Sequence, residues 1–205
     1  RPPLLRGRGG KGLAHGVHTG KKGSDGNNPS LKRRRRNRYR NKSRGRGAVD
    51  PDASWDYLDW LTSITSMPIA VKGILTAEDA RLCAEHGAQG IIVSNHGGRS
   101  LDSTFATIEA LPEVVDAVNG KAEVYLDGGI RRGSDIVKAL AIGARAVLIG
   151  RPIFWGLAVG GEQGLRDLLE ILRSELESTM GLCGKADIAS IDRSVATMSI
   201  DPFLT

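Results

Sequence analysis

A histidine and an arginine stand three residues apart in the glycine-rich turn SNHGGR, residues 94–99. The turn follows an apolar run that is typical of a buried strand. An imidazole can take a proton from a bound substrate, and a guanidinium fork can hold a carboxylate through paired hydrogen bonds. The turn therefore predicts a general base, His96, beside a carboxylate-binding residue, Arg99. The alternative is that His96 is a structural or exposed histidine.

A lysine ends the preceding apolar run, IAVKG at residues 69–73. Lys72 would need an anionic partner in such a position, because an unpaired buried charge is strongly destabilising. An electron-rich cofactor ring would serve as that partner. An ion pair with a carboxylate such as Asp127 is the alternative, and the sequence leaves both open.

Two later turns combine glycine with arginine, namely DGGIRRG at residues 127–133 and GRP at residues 150–152. Glycine lets backbone N–H groups come close to an anion, and arginine adds positive charge. Turns of this kind after consecutive strands predict a phosphate site of the sort found after the last two strands of β/α barrels. The alternative is that Asp127 and the arginines form exposed ion pairs.

Each of these turns follows a predicted strand in a repeated strand–helix pattern. The pattern begins after a predicted amphipathic helix at about residues 53–65. The predicted strands lie at residues 69–73, 90–95, 123–127 and 146–150, and the predicted helices at residues 76–86, 104–119, 133–142 and 161–181. Nearly continuous apolar strands that alternate with helices indicate a parallel sheet covered by helices.

Either a doubly wound sheet or a barrel would produce this pattern. No G-x-G-x-x-G follows a strand, which disfavours the dinucleotide-binding form of the doubly wound sheet. Polar residues and glycines gather where each strand ends, as they do at barrel active sites. We therefore predict an α/β fold of the (β/α)8 TIM-barrel type. A full barrel needs about 250 residues, so the four units found are half of one, its last four.

Four segments carry a family resemblance: PIAVKG (68–73), SNHGGRSLD (94–102), DGGIRRG (127–133) and IGRP (149–152). In order and spacing they resemble the FMN-dependent 2-hydroxy-acid dehydrogenases and oxidases, the family of the glycolate oxidase, lactate oxidase and flavocytochrome b2 type. The resemblance runs from about residue 50 to residue 196. It implies FMN as the cofactor and oxidation of a small (S)-2-hydroxy acid to the 2-oxo acid.

The resemblance also implies roles for individual residues. His96 would take the proton from the substrate hydroxyl while Arg99 holds the carboxylate, and Lys72 would stabilise the reduced flavin at its N1/O2 edge. Ser100 stands where the family has glutamine. The residues implied to hold the remainder of FMN are Ser94, Asp127, Gly128, Gly129, Ile130, Arg131, Gly150 and Arg151.

The family's first four strands, which supply further flavin and substrate contacts, have no counterpart in this sequence. We therefore expect a truncated enzyme with little or no turnover of its own. A catalytically inactive half-barrel that binds phosphate ligands weakly is the alternative. The sequence leaves open which 2-hydroxy acid is used, whether oxygen, a quinone or a cytochrome is the electron acceptor, and whether the protein forms a homo-oligomer.

The net charge of +6 averages two unlike segments. Residues 1–48 carry 16 Lys/Arg against one acid, a net +15, whereas residues 49–205 carry 13 against 22, a net −9. The first segment is rich in glycine and lacks apolar periodicity, which predicts a disordered basic segment, with the barrel half beginning at residue 49. It resembles the translation of a wrong reading frame more than an evolved domain. A basic tail that binds nucleic acid is the less favoured alternative.

The two cysteines, Cys83 and Cys183, make neither a metal-ligand spacing nor a disulfide framework. A reducing compartment, the cytoplasm, is therefore expected, and no metal site is predicted. No apolar run is long enough to span a membrane, and the basic start lacks the apolar core of a secretory signal. The final residues, 203–205, are not a peroxisomal signal.

Overall fold

A computed structural model describes residues 53–196. Contacts divide the chain into two units, with the boundary between Thr65 and Ser66. The segment predicted to be disordered, residues 1–48, lies outside the described residues, as do residues 197–205.

In the first unit the described residues form one helix, α1 (Trp55–Ile64). This confirms the helix predicted at residues 53–65. Its predicted apolar face is only partly buried, because Trp55 and Leu58 are buried whereas Trp60 is 40% exposed and stacks at a tilt against Tyr57.

The described part of the second unit is an alternation of strands and helices. Its elements are β1 (Ala70–Ile74), α2 (Ala77–Glu85), β2 (Gly90–Ser94), a 3-10 turn (His96–Gly98), α3 (Thr107–Val118), β3 (Glu123–Asp127), α4 (Gly133–Ile142), β4 (Ala146–Leu148), α5 (Arg151–Leu182) and two further 3-10 turns (Ile188–Ser190 and Arg193–Val195). All four predicted strands are confirmed, as are the three predicted helices between them, with bounds that agree within three residues. Thr76 caps α2 as expected, its hydroxyl accepting from the N–H of Asp79 at 3.2 Å.

The four strands form one parallel sheet in the order β1-β2-β3-β4. Each strand therefore pairs with the one before it in the chain, and the order never reverses. A doubly wound sheet has such a reversal, and its ligand sits there. The sequential order favours a segment of barrel wall, as the sequence predicts, and brings all four carboxyl ends to one edge.

The two faces of the sheet differ in burial. Ile91, Val93, Val124 and Leu126 point to one face and are each at most 5% exposed. Helix α3 packs on β2 and β3, and α4 packs on β4. Residues of the other face are more open: Ala70 is exposed, whereas Ile92, Tyr125 and Leu148 are half-buried. A closed barrel turns this second face inward.

Helix α5 differs from the prediction. A helix was expected at residues 161–181, but α5 begins at Arg151 and contains non-helical residues at Gly160 (φ −142°, ψ 18°) and Gly161 (φ 57°, ψ −136°). A Cβ on Gly156 would lie 2.8 Å from the carbonyl oxygen of Gly164. Residues eight apart in a straight helix are separated by about 12 Å. The element is therefore a helical hairpin whose two arms touch at Gly156 and Gly164.

Within residues 53–196, no helix combines the length and apolarity needed to cross a membrane. In the same range, no three His, Cys, Asp or Glu side chains stand close enough together to hold a metal ion.

Candidate active site

Three neighbouring strand ends contribute one connected polar cluster. Lys72 at the end of β1 forms an ion pair with Asp127 at the end of β3, with an Nζ–Oδ2 distance of 2.6 Å. Between them, Ser94 Oγ accepts from Lys72 Nζ at 2.8 Å and donates to Asp127 Oδ2 at 2.6 Å. Lys72 therefore has the carboxylate partner that the sequence offered as an alternative to a cofactor ring.

Burial and charge compete at Asp127. Burial raises the pKa of the Asp127 carboxyl, but hydrogen bonds from Lys72 and Ser94 lower it, as do the positive charges of Lys72 and His96. The lowering causes win together, so the pKa lies below its usual value. Asp127 is thus an anion at neutral pH, and its carboxylate forms the ion pair with Lys72.

The predicted base, His96, sits in an uncommon backbone conformation. Its φ is 55°, and Gly97 and Gly98 follow with φ 69° and 71°, so three successive residues are left-handed. Non-glycine residues in this region are uncommon and are often found at functional sites. Ser94 Oγ accepts from the His96 N–H at 3.1 Å, which ties this turn to the polar cluster.

Glycine at the end of β1 makes room for His96. Gly73 has φ +105°, and a Cβ there would stand 3.1 Å from His96 Cε1. The imidazole therefore lies against the residue that follows Lys72, so the structure brings Lys72 and His96 together. Arg99 is exposed where the turn closes, its backbone N–H donating to the His96 carbonyl at 3.5 Å.

The turn after β3 leaves open space beside its backbone. Gly128 and Gly129 have φ +104° and +80°. A Cβ on Gly129, or on Gly150 after β4, would meet no atom within 4 Å. Ile130 is 4% exposed, so it offers a ligand its backbone rather than its side chain.

Two of the three arginines in these turns, Arg131 and Arg151, have different contacts. Arg131 lies over the ring of Trp155 in α5, with Cζ 4.5 Å from the ring centroid. Arg151 Nη2 donates to the carbonyl oxygen of Gly97 at 2.7 Å, so its guanidinium reaches the His96 turn. Asp127 pairs with Lys72 rather than with either arginine, and the exposed ion pair suggested for it is wrong.

Sequence reasoning missed the residues that brace these turns. Asn95 Oδ1 accepts from the Gly97 N–H at 2.9 Å, and its Nδ2 donates to the Phe105 carbonyl at 3.3 Å. Thr107, which is 4% exposed, donates from Oγ1 to the Gly128 carbonyl at 3.1 Å. The first of these contacts lies within the turn after β2. The other two join the turns after β2 and β3 to residues before and within α3, and no spacing pattern reports them.

The arrangement fits FMN on the observations above. An open glycine cradle flanked by Arg131 and Arg151 suits a phosphate, and cationic Lys72 at the same sheet edge suits an electron-rich ring. His96 and Arg99 stand beside them and could serve an acid substrate.

Comparison with known proteins agrees with this fit. The sequence model of a family described as FMN-dependent dehydrogenase matches residues 12–198. The match begins inside the basic segment.

Two curated relatives are more than half identical over the aligned region. The 2-hydroxyacid oxidase 1 of Mus musculus is 55% identical over 148 residues, covering 72% of this chain and 40% of that protein. A peroxisomal (S)-2-hydroxy-acid oxidase of Oryza sativa subsp. japonica is 58% identical over 149 residues, covering 73% of this chain and 41% of that protein. The chain thus spans about 40% of the length of these relatives.

A solved structure agrees with the fold. A crystal structure of mandelate oxidase is 48% identical and superposes with a TM-score of 0.67, covering 71% of this chain and 42% of that one. The four βα units described here therefore have the fold of a TIM-barrel flavoenzyme.

Proposed function

Because the chain belongs to the family of FMN-dependent dehydrogenases, we propose that it serves in the FMN-dependent oxidation of a small (S)-2-hydroxy acid to the 2-oxo acid. The observation that carries the proposal is the meeting of Lys72, His96 and two glycine–arginine turns at one sheet edge. Relatives named as 2-hydroxy-acid oxidases, more than half identical over this region, support the same chemistry.

FMN, when bound, supplies the acceptor for the hydrogen that leaves C2 of the substrate. In this proposal Lys72 lies along the ring edge and offsets negative charge there. Asp127 and Ser94 hold Lys72 in place through the hydrogen bonds described above. The remaining residues proposed to hold FMN, by side chain or backbone, are Gly128, Gly129, Ile130, Arg131, Gly150 and Arg151.

Arg99 and His96 act on the substrate. Arg99, exposed at the end of the turn, binds the substrate carboxylate through its guanidinium fork. This contact presents the C2 hydroxyl to the imidazole of His96, which takes the hydroxyl proton as C2 is oxidised. The left-handed backbone of His96 and the small Gly73 fix where the ring can stand.

The electron acceptor and the compartment are further parts of the proposal. Oxygen is the acceptor to examine first, since these relatives are oxidases by name. A cytoplasmic location rests on two free cysteines, one buried and one exposed. The rice relative is peroxisomal by name, so fractionation of the source cells should examine both compartments.

The test is the visible absorption of the purified chain after FMN is added and the excess removed. We expect a retained flavin band. Because the chain is expected to have little turnover, the band should bleach only slowly when glycolate, lactate or mandelate is added without air, and it should return on admission of air. In His96→Ala the flavin band should be retained, but it should bleach at least about a hundredfold more slowly than in wild type, the usual contribution of a general base. His86→Ala, at the end of α2, is the matched control and should behave as wild type.

Two outcomes would count against the proposal. A colourless protein would show that the turns do not bind FMN. Bleaching at the wild-type rate in His96→Ala would show that the proton is taken elsewhere.

A further inference from the structure

The contact between Arg131 and Trp155 joins the turn after β3 to the first arm of α5. The Arg131 guanidinium carbon lies 4.5 Å from the centroid of the Trp155 ring. Trp155 stands four residues after Arg151, so one helical turn carries both Arg151 and the ring that contacts Arg131. The aromatic ring thus lies at the rim of the open glycine cradle.

Stacking leaves the guanidinium able to bind. A guanidinium held over an aromatic face keeps N–H groups that are not occupied by the ring, and these can donate to a phosphate. An exposed arginine would otherwise sample many rotamers, and ordering it on binding would weaken affinity. Arg131 is exposed, and Trp155 is 49% exposed. The ring is therefore placed to pre-order a side chain that burial does not fix.

We propose that Trp155 is a positioning residue, which holds the Arg131 guanidinium ready for the phosphate of FMN. This inference rests on the proposed function only in that it takes FMN as the ligand of the two glycine–arginine turns. Trp155 itself need not touch the cofactor. Its effect on FMN affinity should pass through Arg131.

The chain offers a matched control one residue away. Phe154 lies on the same arm of α5 and is 70% exposed. It has similar apolar character, whereas the ring that lies under Arg131 belongs to Trp155. A change at Phe154 therefore alters the apolar surface of this arm and leaves the stack in place.

The experiment measures the dissociation constant of FMN for the full chain by quenching of flavin fluorescence. Trp155→Leu should weaken FMN binding about two- to fivefold, the range that an exposed cation–π contact contributes. Trp155→Phe should recover most of the affinity, and Phe154→Leu should leave it unchanged. In an Arg131→Met background, Trp155→Leu should have no further effect, because its partner is gone.

Each contrary result has a distinct meaning. Equal losses from Trp155→Leu in the wild-type and Arg131→Met backgrounds would overturn the inference, as would equal losses from Trp155→Leu and Phe154→Leu. Wild-type chain that binds no FMN would overturn this inference together with the proposed function. Chain that binds FMN with these effects, but is not bleached by any 2-hydroxy acid, would overturn the proposed function and leave the role of Trp155 standing.

Discussion

Single side chains at the strand ends act as one hydrogen-bonded unit. Ser94 is 1% exposed, and its hydroxyl bonds to Lys72, Asp127 and the backbone N–H of His96. Removing one member of such a cluster leaves its partners without a hydrogen bond, and buried polar groups that lack a hydrogen bond destabilise the fold. The ionisation of Asp127 is therefore coupled to the stability of the folded chain.

The sign of that coupling follows from the direction of the pKa shift. Burial raises the pKa of Asp127, and the hydrogen bonds and charges of its neighbours more than offset this, so its folded-state pKa lies below the ordinary value for an aspartate. A depressed carboxyl stabilises the fold above its unfolded pKa, and this stabilisation is lost as pH falls through the folded value. We expect the free energy of unfolding to decline below about pH 4, and to decline less steeply in Asp127→Asn.

Urea denaturation across that pH range measures the effect. Asp102→Asn, in the exposed loop after Arg99, serves as the control and should follow the wild-type curve. Parallel curves for Asp127→Asn and wild type would show that the Lys72–Asp127 pair does not contribute to stability.

At the scale of elements, α5 depends on two glycines that face each other. The arms of this helical hairpin meet at Gly156 and Gly164, where a Cβ on either residue would overlap the backbone of the other. The second arm then packs on α4. A shared apolar cluster holds them, formed by Val137, Ala141, Leu176 and Met180.

Alanine substitution separates this contact from helix propensity. Gly164→Ala would gain about 1 kcal/mol from helix propensity alone. We expect it instead to destabilise the chain by about 1–3 kcal/mol, the range for overpacking, because the added methyl overlaps Gly156. Gly160→Ala is the control and should be near neutral, since its φ is −142° and its surroundings are open. Chemical denaturation measures both, and a stabilised Gly164→Ala would show that the two arms do not touch.

The alternating elements could be predicted because their apolar residues are regularly patterned in the sequence, although β1 buries only its last two residues and β4 buries none. Strands β1 to β4 are short apolar runs, and Thr76 and Gly87 mark the ends of α2 by local chemistry alone. The first arm of α5 was missed because most of its apolar residues do not form a buried face: Phe154, Trp155, Leu157 and Val159 are all at least 42% exposed. The glycine pair at residues 160–161 then resembled a helix start rather than a bend.

The sequence likewise predicted which residues of the site lie near one another, but not which of them are in contact. Polar residues that follow strands must gather at one sheet edge, so Lys72, His96 and the glycine turns could be grouped in advance. Which of them touch depends on side-chain reach across that edge. The stack of Arg131 on Trp155 and the brace of Thr107 on Gly128 join residues that are more than 20 positions apart, and no periodicity records them.

At the scale of the whole molecule, the two cysteines report on different parts of the described fold. Cys83 in α2 is fully buried, whereas Cys183 after α5 is exposed. Burial, with a smaller contribution from the charge of Asp79, raises the pKa of the Cys83 thiol to about 12. Because the thiolate is the nucleophile, Cys83 should be inert while the core is folded.

Thiol labelling of the full chain measures this difference. Near pH 8 we expect one thiol to react at once and the second to react only as fast as the core opens, with urea accelerating the second phase. Cys183→Ser should abolish the fast phase alone. Two fast thiols in the absence of denaturant would mean that the core around α2 is open.

The hydrogen bonds of the Ser94 hydroxyl link protonation of Asp127 to the backbone of His96. A hydroxyl owns one hydrogen and two lone pairs. Here the hydroxyl donates its hydrogen to Asp127, and its two lone pairs accept from Lys72 Nζ and the His96 N–H. Its hydrogen-bonding capacity is therefore fully used. If Asp127 took up a proton on Oδ2, two hydrogens would face each other, and the Ser94 hydroxyl would have to rotate. The two lone pairs would then face three donors, namely the new Asp127 O–H, Lys72 Nζ and the His96 N–H, so one of them would lose its acceptor. One proton gained at the end of β3 would in this way compete with the hydrogen bond that ties the His96 turn to Ser94.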